Sequence, residues 1–131
     1  MISRIDLQKM AQAKLEDAEV LLQAQRYDSA VYICGYAVEL ALKARICLVL
    51  NWNGYPSDNA EFQKYQSFKT HDLKVLLRLS GTEGIMTNKY KSEWSAVNTW
   101  NPELRYKLVG STSFQTASSM ITNTKTLLRE L

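Results

Sequence analysis

Proline and glycine are scarce in this chain, with two and five among 131 residues, and most of them lie outside the long apolar stretches. A sandwich of many short strands needs a turn signal roughly every 8 to 12 residues, so such a β architecture is excluded and long elements are expected. Histidine occurs once and cysteine twice. No Cys or His set stands at zinc spacing, and neither a Gly-rich phosphate loop nor a Gly-x-Ser-x-Gly elbow is present. No metal or other cofactor is therefore implied. The run from Ala30 to Leu50 has transmembrane length, but Glu39, Lys43 and Arg45 interrupt it, and ionised groups are costly within a bilayer. It reads as a core helix, with no membrane partner. The opening Met1-Ile2-Ser3-Arg4-Ile5-Asp6 has no basic patch followed by an apolar core, so a cytoplasmic location is expected.

What is present suits a globular fold. Hydrophobic residues make up 46% and charged residues 22%, and a chain of this length fits a single domain over residues 1–131 that buries roughly two-thirds of its unfolded surface. Cys34 and Cys47 are 13 positions apart; on one helix that is about 20 Å of rise, against about 7 Å between the Cα atoms of a disulfide. Reduced, buried thiols follow. The formal charge of +3 is unevenly spread: residues 64–107 hold eight Lys or Arg against four acids, a local +4, and the remainder is −1. Tyr65, Phe68, Tyr90, Trp94, Trp100 and Tyr106 are interleaved with those cations. The mixture suits phosphate and base contact; the alternative is a solvated surface with core aromatics beneath it.

Periodicity predicts an all-α, up-and-down bundle of four to five helices with no strand. Leu7, Ala11, Leu15, Ala18 and Leu22 recur at helical spacing over residues 4–25. Asp28 is the predicted N-cap of a second helix reaching about Asn51. On it, Ala30, Cys34, Ala37, Ala41 and Ala44 form a stripe of small residues beside an apolar stripe of Val31, Val38, Leu42 and Val49. Apolar residues nearly all round mark a central helix, and a symmetric partner covering it, hence a homodimer, is expected. Its narrow polar remainder is Tyr32, Tyr36, Glu39 and Lys43, either the wet stripe of a bundle helix or the lining of a groove. Residues 53–69 read as a loop with a short helical turn. Thr70 is the predicted cap of a helix carrying Leu73, Leu76, Leu77 and Leu79, ended by Gly81. A helix over Asn88–Thr99 follows, then a restart at Asn101-Pro102-Glu103 and a C-terminal helix capped by Ser111-Thr112-Ser113, with Phe114, Ala117, Ile121 and Leu128 on one face.

The single His71 falls in the first turn of its predicted helix, where a neutral imidazole caps, packs or orients a neighbour more readily than it catalyses. The segment Trp100-Asn101-Pro102-Glu103-Leu104-Arg105-Tyr106-Lys107 gathers an aromatic, a carboxylate and two cations. Arg105 can grip a phosphate through a two-pronged contact, and Tyr106 can stack on a base. Alternatively, Arg105 pairs with an acid such as Glu39 inside the bundle and Tyr106 packs.

Four segments in order, Arg26-Tyr27-Asp28-Ser29-Ala30, Gly35-Tyr36-Ala37-Val38-Glu39-Leu40-Ala41-Leu42-Lys43-Ala44, His71-Asp72-Leu73 and Trp100-Asn101-Pro102-Glu103-Leu104-Arg105-Tyr106, resemble the successive motifs of the HEPN domain. The resemblance implies a helical, usually dimeric bundle of the kind found in bacterial and archaeal toxin-antitoxin and defence systems, often encoded beside a minimal nucleotidyltransferase. Many family members are metal-independent ribonucleases with an Arg, four to six residues, then a His. Here the matching arginine is Arg105, and the positions open to histidine are Gly110, Ser111 and Thr112. The fold therefore carries over better than the ribonuclease. The sequence favours a nucleotide- or RNA-binding or partner-binding module, with Arg105, Tyr106, Glu39, Lys43, His71 and Tyr36 as its contacts. The alternatives are a degenerate ribonuclease using Arg105 and His71, or a purely structural subunit.

Overall fold

The computed structural model describes every residue, Met1–Leu131. Two long helices, α1 (Arg4–Gln23) and α2 (Tyr27–Val49), form a tight hairpin. Ser3 starts α1 by accepting a hydrogen bond from the Asp6 amide at 3.1 Å, as an N-cap serine does. The hairpin turns at Gln25, whose φ of 61° is left-handed. The amide of Gln25 donates to the Leu22 carbonyl and that of Arg26 to Leu21, the paired bonds of a helix end that favours glycine at the turning residue. The end of α2 repeats the arrangement at Asn51, with φ 54° and the Trp52 amide on the Cys47 carbonyl at 2.9 Å.

The long helix α2 is central, packed by α1, by α4 (Leu73–Leu79) and by α7 (Phe114–Glu130). Its small stripe Ala30, Cys34, Ala37, Ala41 and Ala44 is buried throughout. Both cysteines are free and buried; the Cys34 thiol donates to Thr124 of α7 at 3.3 Å, and burial pushes its pKa up to about 11, so it is an inert packing group at neutral pH. Of the apolar stripe, Val38 and Leu42 are fully buried, while Val49, at the end of the helix, is 50% exposed. Phe114 likewise stays half out of the core, edge-on to Tyr27 at 5.7 Å. No helix is long and apolar enough to cross a membrane.

Several local boundaries differ from the sequence expectation. The bundle has seven α-helices, more than four to five, because the short helical turn expected in the loop forms as α3 (Asn59–Phe62) and an unexpected helix, α5 (Glu83–Asn88), precedes the one expected over Asn88–Thr99. The latter is shorter than expected, α6 (Lys91–Val97). Two strands form where none was expected: β1 (Ile2–Ser3) pairs antiparallel with β2 (Gly54–Tyr55). Two-residue strands carry too little alternation to be visible in a sequence. The restart at Pro102 is a 3-10 turn, Pro102–Tyr106, capped by Asn101 on the Glu103 amide at 2.9 Å. Asp72, not Thr70, caps α4, accepting from the amides of Lys74 and Val75, while Thr70 accepts from Asp72. Asp28 is not a cap: it lies inside the first turn of α2.

Candidate functional site

The motif around Gly35 has a packing reason. Trp100, 4% exposed, lies against Gly35, and a Cβ there would fall inside the indole ring. The indole N–H donates to the Tyr32 carbonyl at 3.1 Å, and Tyr36 meets the indole edge-on at 4.9 Å. The Trp100 ring thus anchors the segment carrying Arg105 to the polar stripe of α2.

Along that stripe the expected residues do come together. Glu39 is only 3% exposed, and its carboxylate takes two partners: His71 Nδ1 on Oε1 at 2.7 Å and Lys43 Nζ on Oε2 at 3.2 Å. A carboxylate at this depth requires such pairing. His71 therefore precedes its helix cap, outside the first turn of α4, and is oriented by Glu39. Next to it, Tyr36 meets the imidazole edge-on at 6.4 Å, and the Tyr36 and Tyr32 hydroxyls are 3.4 Å apart. Burial, reinforced by that hydroxyl contact, pushes the Tyr36 phenol up to about 12. It is a neutral hydrogen-bonding group in this row, not a base.

Arg105 does not pair with Glu39. Its guanidinium donates to the Pro102 carbonyl at 2.9 Å and lies over the Tyr106 ring, 4.5 Å from the centroid. Tyr106 is 70% exposed, so the pair faces solvent. Around it is a groove of about 370 Å³ lined in part by Arg26, Asp28, Tyr32, Arg105 and Lys107. The one acid in that wall is already engaged. Asp28 Oδ2 accepts from the Gly110 amide at 2.7 Å and Oδ1 from the Thr112 amide at 2.9 Å, with Ser111 Oγ at 3.5 Å. These bonds, the Gly110 amide foremost, hold the Asp28 carboxyl below its ordinary range.

Gly110, Ser111 and Thr112 are the positions at which a ribonuclease histidine would stand, and the Asp28 clamp occupies all three. Gly110 also has a φ of 86°, a left-handed conformation that a histidine would adopt only under strain. No hydrogen bond or ion pair joins His71 to Arg105; each is committed to other partners. No three metal-ligating side chains converge anywhere in the chain.

Of the aromatics interleaved with cations, most are structural. Trp94 and Trp100 are core; Tyr65 and Phe68 cluster with Trp52, at ring separations of 5.1 and 4.9 Å. The solvated surface with core aromatics beneath is the better description of residues 64–107, except at Tyr65 and Tyr106, which are exposed. Sequence reasoning missed Asp28 as a loop clamp, and nothing local signals it, because its partners lie 82 to 84 residues away. Arg26 and Lys107, which share the Arg105 groove, were legible only as two cations among many.

Residues 6–57 match the family model of the HEPN domain, which bears out the resemblance over the first two of the four motif segments. The match runs from α1 through α2 to β2, taking in Asp28, Gly35, Tyr36, Glu39 and Lys43 and ending before His71 and Arg105. Neither the curated proteins nor the solved structures give a match.

Proposed function

We propose that residues 1–131 form one HEPN-like domain that binds RNA or a nucleotide through the Arg105-Tyr106 groove, as one half of a prokaryotic toxin-antitoxin or defence pair with a minimal nucleotidyltransferase. The observation that carries this reading is the exposed Arg105-Tyr106 pair. A guanidinium and a phenol ring are displayed together beside Arg26 and Lys107, in a groove whose only carboxylate is spent on backbone amides. Such a surface offers phosphate contacts and a stacking face for an unpaired base.

Fluorescence anisotropy with a short single-stranded RNA at low salt tests it. Arg105→Ala and Tyr106→Ala are each expected to weaken binding about tenfold, in line with roughly 1–3 kcal/mol for a stacked base. Added salt should weaken the wild-type complex with a slope of about −0.7 per phosphate neutralised. Absence of measurable affinity at low salt, with no nucleotidyltransferase copurifying, overturns the proposal.

A degenerate ribonuclease using Arg105 and His71 has weaker support, since each side chain is held by its own partners and the loop after Arg105 is clamped by Asp28. Cleavage of RNA by wild type that is lost in both Arg105→Ala and His71→Ala would restore that reading. A homodimer is supported by Leu48, Val49 and Leu50, which end α2 in solvent. Sedimentation as a monomer at micromolar concentration would remove it.

A further inference from the structure

The other end of the polar stripe opens into a second cavity, of about 450 Å³, which shares no residue with the Arg105 groove. Its floor is apolar: Ile2, Leu7, Leu40 and Phe62, with Pro56 at the edge. Its rim carries Lys43, Lys69 and His71 together with the hydroxyls of Ser57 and Thr70, and no Asp or Glu lines it. The Arg105 groove includes Asp28, and the cavity beside Trp52 includes Glu61. Among these three cavities, this one alone sets cations above an apolar floor with no carboxylate in its lining.

Two of the rim groups are positioned by Glu39, and the third keeps its full charge. Lys43 is paired with Glu39 at 3.2 Å and lies over the Tyr55 ring at 5.2 Å. His71 gives Nδ1 to Glu39, and its Nε2 has no protein partner. Lys69 donates at 2.7 Å to the neutral Asn59 amide oxygen, so its charge is not cancelled. Ammonium groups act as point charges and are common binders of phosphate. A cavity of this size falls within the range of small-molecule sites, about 300–1,000 Å³, in which an apolar surface buries the body and a few polar groups fix the orientation.

We propose that this cavity binds a small phosphate monoester with an aromatic or apolar body, the phosphate held by Lys43, Lys69 and His71 and the body seated on Leu7, Leu40 and Phe62. Lys69, Thr70 and His71 lie beyond the residues matched to the family model, whereas Lys43 and Ser57 lie within them. The pairing of β1 with β2 brings Ile2 and Tyr55 to the cavity wall.

Isothermal titration of the full chain with phenyl phosphate, adenosine 5′-monophosphate, inorganic phosphate and phenol tests the proposal. Either ester should bind about tenfold more tightly than inorganic phosphate or phenol, and the exposed change Lys69→Ala should weaken the ester about tenfold, a charge-assisted contact being worth roughly 1.5–3 kcal/mol. The order of the two esters separates a nucleotide from a simpler aryl phosphate. Amide shifts should move at Lys69 and Thr70 and stay fixed at Gly110. If ester and inorganic phosphate bind alike, if no ester binds at millimolar concentration, or if folded Lys69→Ala binds as wild type does, the assignment is wrong. The outcome is independent of RNA binding, because the two cavities share no residue.

Discussion

Glu39 and Arg105 stand toward opposite ends of one polar row and are held in opposite ways. Glu39 is buried on the central helix, and both carboxylate oxygens are engaged by side chains that it orients. Arg105 sits on a 3-10 turn, bonded within its own turn and stacked on its own neighbour, with nothing from the bundle core holding its guanidinium. Charge at the first place is structural currency: removing it leaves Lys43 unmatched. Charge at the second, met only by exposed Glu103 at 4.0 Å, stays open to a ligand. The two ends are joined through Tyr36, Tyr32 and Trp100, and the junction depends on Gly35 having no side chain.

That contrast can be broken most severely at the junction. Gly35→Ala must displace Trp100, and a loss of about 3 kcal/mol or more is expected, read as a fall in the urea midpoint; a midpoint equal to wild type would show that the indole is not seated there. Glu39→Gln should cost about 2–3 kcal/mol, less than a fully buried pair because His71 and Lys43 reach solvent. Equal stability would make the Glu39 end as dispensable as the Arg105 end.

A smaller effect is expected at the loop clamp. The Asp28 carboxyl is held below its usual value, so its contribution is complete above the ordinary carboxylate pKa of about 3.9 and is lost as pH falls through the lower folded value. Amide exchange at Gly110 and Thr112 should accelerate in Asp28→Asn at neutral pH and in wild type under strong acid; protection unchanged in the variant would mean that other contacts hold the loop. Gln25→Gly should stabilise by less than about 1 kcal/mol, the relief of a left-handed turn offset by added freedom in the unfolded chain. Thermal unfolding of the variant below wild type would contradict that. Smallest of all, Arg105→Ala should leave stability within about 0.5 kcal/mol of wild type; a larger loss would erase the distinction between the two ends.

Much of this was legible in advance because it is local. The spacing of Leu7, Ala11, Leu15 and Ala18 gave α1, Ser113 of the expected cap segment 111–113 does cap α7, and Asn101-Pro102-Glu103 starts a helical turn. The stripe Tyr32, Tyr36, Glu39 and Lys43 shares one face because residues three and four apart on a helix are neighbours. The helix α5 was not legible, since six residues that include Gly84 carry too little periodicity to show one.

The sequence by itself determined a helical chain centred on α2, its buried small-residue stripe, its polar face, and the lack of a histidine after Arg105. Tertiary structure alone decided which partners the polar groups took. Glu39 meets His71 across 32 residues, Trp100 meets Tyr32 across 68, and Asp28 meets Gly110 across 82. Helical periodicity specifies the face on which a side chain stands, and only the packing of one helix against another specifies what stands opposite it.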